Sequence, residues 1–112
     1  MKEYMLLFRS SSDALKGSAE ELQQQVVRWK SWLDKLAAEG TFGSGGKRLN
    51  AAGTTIRGRE RRTVDGPYAE GKEVVGGYMT IKARDLGEAV EIVKGCPIFD
   101  IGGSAEVREA LG

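Results

Sequence analysis

Six side chains that could serve acid/base or hydrogen-bonding chemistry lie within one glycine-rich segment, residues 65–78. The segment reads DGPYAEGKEVVGGY, and the side chains are those of Asp65, Tyr68, Glu70, Lys72, Glu73 and Tyr78. The chain contains no histidine, the side chain that most often transfers protons at neutral pH. A histidine-based triad, metal site or phospho-relay is therefore excluded, and segment 65–78 becomes the candidate site.

Three functions are compatible with this segment. The first is a small-molecule enzyme in which Asp65 acts as general base, assisted by Lys72, Arg9 or Tyr78. An isolated Asp titrates near ~3.9, so this role requires burial that raises its pKa. The second is a non-catalytic module in which the glycines let backbone amides approach an anionic or aromatic ligand. The third is a structural or interaction protein in which Asp65-Gly66-Pro67 holds a loop at a dimer contact.

The absence of histidine and of any metal-ligand motif favours the second function, a ligand-binding module. The candidate ligand-binding residues are Arg9, Trp29, Asp65, Gly66, Pro67, Tyr68, Lys72, Gly76, Gly77 and Tyr78. No motif indicates a cofactor. Asp65 is the one candidate for a catalytic role.

Composition predicts one globular domain over residues 1–112, with a charged content of 29% that is ordinary for a soluble chain. The formal net charge of +1 provides no global field that would attract nucleic acid or an anionic membrane. A single cysteine, Cys96, excludes an intrachain disulfide, and residues 1–9 lack the pattern of a signal peptide. These features together predict a cytoplasmic protein.

Strands are expected on both sides of segment 65–78. The double glycine Gly76-Gly77 opens an apolar strand, where paired glycines mark a β-bulge or a close approach of another chain segment. Asp65-Gly66-Pro67 predicts a turn. The predicted strands are residues 3–9, a glycine-broken strand within 41–49, a hairpin of 54–57 and 61–64, residues 74–82 and residues 104–109.

Two helices are predicted. The longer one spans 19–39, with Ser18 as N-terminal cap and Gly40 as left-handed C-terminal residue. Its apolar stripe is predicted to face the sheet and consists of Leu22, Val26, Trp29, Leu33 and Leu36. The second helix begins after Asp85 with a stripe of Leu86, Ala89, Val90 and Val93, and a loop over 98–103 follows it.

This element order predicts an α+β fold of the ferredoxin-like type, because two strand–helix–strand halves place both helices on one face of a single sheet. A chain of 112 residues has no third layer for the other face. We therefore expect a second copy to cover it, forming a twofold homodimer with a pocket beside the sheet.

The segment Asp65–Glu73 followed by Gly76-Gly77-Tyr78 resembles the signature of the YCII-related proteins of the DGPF type, with Tyr68 where that name has Phe. The resemblance implies a dimeric α+β barrel. The wider YCII-like group is thought to use a His and Asp pair beside the sheet. In this chain the histidine position falls near Trp29, so Asp65 is the only carried-over candidate for acid/base chemistry.

Overall fold

The computed structural model describes residues 1–11, 17–71 and 73–112, and it has an α+β fold. Within these ranges the secondary-structure elements follow one another along the chain. They are β1 (Lys2–Ser11), α1 (Ala19–Glu39), β2 (Phe42–Arg48), β3 (Thr54–Arg57), β4 (Arg62–Asp65), β5 (Ala69–Glu70), β6 (Glu73–Ala83), α2 (Leu86–Val93), a 3₁₀ helix (Pro97–Ile101) and β7 (Ser104–Glu109).

The main sheet is antiparallel and has the strand order β2-β6-β1-β7, with the short β5 paired to the start of β6. Strand β1 lies between β6 and β7, in the interior of the sheet. Strands β3 and β4 form a separate two-stranded hairpin, as predicted, and we call this hairpin the arm. The chain forms an open sheet and not a closed barrel.

One face of the main sheet is covered by both helices, and we call it the helix face. Strand β1 contributes Tyr4, Leu6 and Phe8 to this face, and all three are buried. They pack in one core cluster with Trp32 of α1 and with residues from β6, α2 and the 3₁₀ helix. Alternation along the strand sends Met5, Leu7 and Arg9 to the opposite face, which we call the open face.

Helix α1 has the predicted ends. The Ser18 hydroxyl accepts a hydrogen bond from the Glu21 amide at 3.1 Å, and Gly40 has a left-handed φ of 75°. Helix α2 begins in the same way, with the Asp85 carboxylate accepting from the Glu88 amide at 2.8 Å. The Glu88 carboxylate accepts in turn from the backbone amide and guanidinium of Arg84, and these bonds lower the Glu88 pKa.

The predicted apolar stripe of α1 is wrong in its first half. Leu22 and Val26 remain 40% and 60% exposed, whereas Gln25, Trp32 and Leu36 are the buried residues of the helix. The bulky Trp32 decides this rotation, because it packs where α2 ends. An added Cβ on Gly95 would lie 3.3 Å from the Trp32 indole nitrogen, so the two segments are in close contact.

Two further expectations about the C-terminal half need correction. In α2 only Ala89 and Val93 are buried, while Leu86 and Val90 stay exposed. The predicted loop over 98–103 begins inside a 3₁₀ helix, Pro97–Ile101, which Pro97 favours at its start because proline fixes φ and needs no amide partner there. Cys96 is buried.

Candidate functional site

The first part of segment 65–78 closes the base of the arm. Asp65 ends β4, and Gly66 then takes a φ of 91°, in the region that favours glycine. The Gly66 amide donates to the Gly53 carbonyl at 2.8 Å, and the Thr55 hydroxyl donates to the Gly66 carbonyl at 2.9 Å. The turn predicted at Asp65-Gly66-Pro67 is therefore present and is fixed by contacts to the residues before and at the start of β3.

The Asp65 carboxylate is exposed in the single chain. It lies opposite Thr54 at the open end of the arm. Within the described ranges no side-chain hydrogen bond or ion pair involves it. A general base at neutral pH needs burial or a nearby like charge that raises its pKa. The single chain does not supply that burial, so the acid/base role depends on a second molecule that covers Asp65.

Pro67 and Tyr68 are also exposed. The Arg57 guanidinium carbon lies 5.8 Å from the centre of the Tyr68 ring, a distance at which a cation is attracted to the face of an aromatic ring. This contact connects the arm to the segment that follows it. No local sequence pattern predicts this contact, because Arg57 and Tyr68 are brought together only by the folding of the hairpin.

The double glycine lies at a β-bulge, as predicted. The β1–β6 register shifts between Phe8 and Arg9, which leaves Gly76 without a partner in β1. The Leu49 amide donates to the Gly76 carbonyl at 2.9 Å. An added Cβ on Gly77 would lie 3.2 Å from the Lys47 carbonyl oxygen. The close approach at Gly77 is therefore that of the neighbouring strand β2, and the glycine serves strand packing there.

Arg9 and Tyr78 lie on the open face at the end of β1 that precedes α1. Tyr78 is opposite Leu7 in the register and is half-buried. The Arg9 guanidinium forms a 2.6 Å ion pair with the Glu106 carboxylate of β7. Arg9 thus has a partner within the chain, and its cationic group is positioned at the edge of the open face.

Trp29 lies on the other side of the sheet. Its ring packs edge to face against Phe8 at 5.2 Å and against Trp32 at 5.8 Å. Since Phe8 belongs to the helix face, Trp29 and Arg9 are separated by the sheet. The structure therefore divides the predicted ligand-binding residues between two faces and the arm, and Lys72 lies outside the described residues.

The helix face also contains a polar residue, Gln25, that lies outside the predicted apolar stripe of α1. Gln25 is 7% exposed, and its amide nitrogen donates to the Pro97 carbonyl at 3.1 Å. Its amide oxygen has no hydrogen-bond partner within the described ranges. The spacing of residues along α1 could have indicated this burial, because Gln25 lies seven residues before Trp32 and therefore on the same side of the helix.

A comparison with protein families shows to which family this chain belongs. The profile of the YCII-related domain matches residues 2–110, which is nearly the whole chain and includes every strand and helix described above. The chain belongs to the YCII-related family. No curated protein matches it.

The YCII-related domain of this chain also has a groove away from segment 65–78. The groove has a volume of about 290 Å³ and lies between α2, the 3₁₀ helix and β7. Its walls are apolar, with Val90, Phe99 and Val107 among them, and Lys94 stands at its edge. None of the predicted ligand-binding residues that the structure describes lines this groove, so the groove gives those predictions no support.

Metal binding, membrane insertion and cysteine chemistry each require particular features of the described residues of the YCII-related domain. They contain no group of three or more acidic or cysteine side chains that could hold a metal ion. None of their helices combines the length and apolarity needed to cross a bilayer. Burial raises the pKa of the Cys96 thiol to about 12, which disfavours the thiolate form that a nucleophilic cysteine needs.

Proposed function

We propose that this YCII-related protein is a homodimer that binds a small molecule beside the sheet, and that it belongs to the DGPF type. In this proposal two ferredoxin-like chains pack through their open faces to form a dimeric α+β barrel. The ligand lies at the margin of that interface, beside Arg9 and segment 65–78, which ends at Tyr78. The proposed compartment is the cytoplasm, with no nucleic-acid or membrane partner.

The observation that carries the proposal is the composition of the open face. Its centre is formed by Met5 and Leu7 of β1 and Tyr78 of β6, all half-buried. No helix among the described residues packs against this face, because α1 and α2 both pack on the helix face. Half-buried apolar and aromatic side chains on a sheet face with no helix of the described residues against it suit an interface with a second molecule, and closed twofold dimers are the commonest assemblies.

The proposed ligand is a small anionic or aromatic molecule. Tyr78 offers a phenol that can donate or accept a hydrogen bond, and the Arg9 guanidinium has donors beyond the single nitrogen that contacts Glu106 at 2.6 Å. Ligand pockets combine apolar walls with a few oriented polar groups. Met5 and Leu7 supply the apolar part in this proposal.

Catalysis by Asp65 is the alternative form of this proposal. Its carboxylate would have to be covered by the second copy, because Asp65 is exposed in the single chain. A third reading, an interaction module without a ligand, requires only the dimer. Both alternatives become outcomes of the experiments below.

The dimer is tested by sedimentation equilibrium of the parent protein and the variants Leu7→Arg and Leu86→Arg. Leu86 is the matched control because it is a leucine exposed on α2, away from the open face. We expect a dimer for the parent and for Leu86→Arg, and a monomer for Leu7→Arg, since a charge in a buried apolar interface is strongly unfavourable. A parent that stays monomeric at all concentrations contradicts the proposal.

Ligand binding is tested by thermal unfolding of the dimer with a panel of small carboxylic acids and phenols. A ligand that binds the folded state raises the melting temperature with concentration. We expect such a rise for the parent and its loss in Arg9→Met and Tyr78→Phe. Retention of the rise in Asp65→Asn would favour simple binding over catalysis, and the absence of any rise across the panel would favour the interaction module.

A further inference from the structure

Two arginines face each other across the arm. Arg57 of β3 and Arg62 of β4 are direct partners in the antiparallel register, so their side chains leave the same face of the hairpin. Both are exposed. Within the described ranges neither has a carboxylate within ion-pair distance. We call them the arginine pair.

Two glutamates face each other a short distance along the chain. Glu70 of β5 and Glu73 of β6 are direct partners in the same way, and Glu70 is exposed while Glu73 is half-buried. No basic group of the described residues forms an ion pair with either carboxylate. We call them the glutamate pair.

Like charges directly opposite each other destabilise a pair of strands. The described residues contain two such pairs, one basic and one acidic, separated by the turn at Asp65-Gly66-Pro67. A counter-charge close to each pair would remove both penalties. The glutamate pair could supply the counter-charge for the arginine pair, and the arginine pair could supply it for the glutamate pair.

We propose that the arginine pair of one copy binds the glutamate pair of a second copy, and that the reverse contact forms at the same time. A twofold axis requires this reciprocity, because residues that make a contact in one direction make it in the other. The proposal rests on the homodimer proposed above and assigns it a second, ionic contact. The two pairs then form an ionic contact between the subunits, which we call the ionic lock.

Neighbouring side chains favour a protein partner over a free anion. Val64 and Tyr68 are 40% and 65% exposed, and the Tyr68 ring lies beside the Arg57 guanidinium. Apolar area next to complementary charges is the usual composition of a protein–protein contact. A nucleic-acid surface would call for several aromatic side chains and an extended basic stripe, whereas the formal net charge of this chain is only +1.

The arm itself also favours this arrangement. A two-stranded hairpin is marginally stable in water unless a further strand or helix packs against it. Among the described residues, the two strands of the arm pair only with each other, and almost all residues of the arm are exposed. A second copy seated on the arginine face of the arm would supply the missing layer.

Charge reversal in separate chains tests the proposal. One variant carries Arg57→Glu and Arg62→Glu, and a second carries Glu70→Lys and Glu73→Lys. In either homodimer both reciprocal contacts would then join like charges. We expect the dimer dissociation constant, measured by sedimentation equilibrium, to rise at least about tenfold for each variant alone.

Mixing the two variants gives the decisive result. In the mixed dimer the glutamates of one arm meet the lysines of the other chain, and the unchanged arginines meet the unchanged glutamates. We expect the mixture to form heterodimers with a dissociation constant within about threefold of the parent's. A variant with Lys35→Glu and Arg59→Glu has the same net charge as the arginine-pair variant, and we expect it to dimerise like the parent.

The other outcomes separate this proposal from the homodimer itself. If both charge variants dimerise like the parent while Leu7→Arg is monomeric, the homodimer stands and the ionic lock is wrong. The same result is expected if the arginine pair serves phosphate or nucleic acid. If all four substitutions in one chain restore dimerisation but the mixture does not, the pairs meet within one chain and the proposal is overturned. A monomeric parent removes both proposals.

Discussion

The two faces of the main sheet are built from the same strands, yet the chain completes only one of them. On the helix face, Leu6 and Ile81 are fully buried under two helices. On the open face, Leu7, which follows Leu6, and Tyr78, its cross-strand partner, are only half-buried. Side chains on successive strand positions point in opposite directions, so one strand serves a core on one side and an unfilled surface on the other.

This difference shows which part of the molecule depends on the single chain. The helix face contains the whole buried hydrophobic cluster, and its burial provides the main driving force for folding. The open face contributes a side-chain hydrogen bond at Thr80, and close backbone contacts join β2 to β6, as at Gly46. Truncating a buried apolar side chain should therefore cost most stability on the helix face, whereas changing the half-buried apolar side chains of the open face should act mainly on assembly.

The largest expected effect comes from adjacent leucines of β1. Leu6→Ala should lower the free energy of unfolding by about 2–5 kcal/mol, the range for truncating a fully buried leucine. Leu7→Ala should cost the single chain less than about 1 kcal/mol, because Leu7 is half-buried. Urea unfolding under monomeric conditions measures both. Equal losses would contradict the division between the faces.

The next effect concerns the way β2 joins the sheet. Gly46 has a φ of 57°, and a Cβ added there would overlap the Tyr78 carbonyl oxygen. Gly46→Ala should therefore cost about 2–4 kcal/mol from left-handed strain and overpacking. The control is Gly45→Ala, whose added Cβ would meet only Phe42 at 3.8 Å. If the two variants unfold at the same urea concentration, β2 does not depend on close backbone approach.

A smaller effect is expected at Thr80, the buried polar residue on the open face. Its hydroxyl oxygen accepts from the Ser44 amide at 2.8 Å and lies 3.0 Å from the Ser44 hydroxyl. Thr80→Val keeps the shape but leaves the Ser44 amide unpaired, which should cost about 1–2 kcal/mol. Thr63→Val on the exposed arm is the control and should change the free energy of unfolding by less than about 0.5 kcal/mol.

The smallest effect is a pH dependence of stability caused by Cys96, which is buried on the helix face. Burial raises the Cys96 pKa from 9.0 to about 12, so between these values the unfolded state loses the thiol proton while the folded state keeps it. The stability contributed by the buried neutral thiol is fully present below pH 9.0 and declines as pH rises toward about 12. The difference in unfolding free energy between the parent and Cys96→Ala should therefore shrink over this interval. A constant difference would mean that the thiol is not buried in an apolar site.

Local sequence signals predicted most elements of the fold. Ser18 and Gly40 define the ends of α1 because capping needs only neighbouring residues. The bulge at Gly76 was predicted in the same way. The rotation of α1 about its axis was not predicted, because the side that faces the sheet depends on how Trp32 packs against the residues that follow α2.

The candidate site was predictable only in part. The turn at Asp65-Gly66-Pro67 follows from residue types, and the structure confirms it. The separation of Trp29 from Arg9 by the sheet could not be derived, because it depends on which face each side chain takes. The opposed pairs Arg57–Arg62 and Glu70–Glu73 likewise require the exact register of strands that pair through turns.

For this protein, the sequence by itself determined the order of strands and helices, the helix caps, the turn and bulge of segment 65–78, and the absence of histidine chemistry. These depend on short-range backbone preferences and on composition. Only the tertiary structure decided which side of α1 faces the sheet, that Asp65 is exposed in the single chain, and that like charges oppose each other in the arm and beside it. Those features arise from contacts between residues distant in the chain, which local preference does not encode.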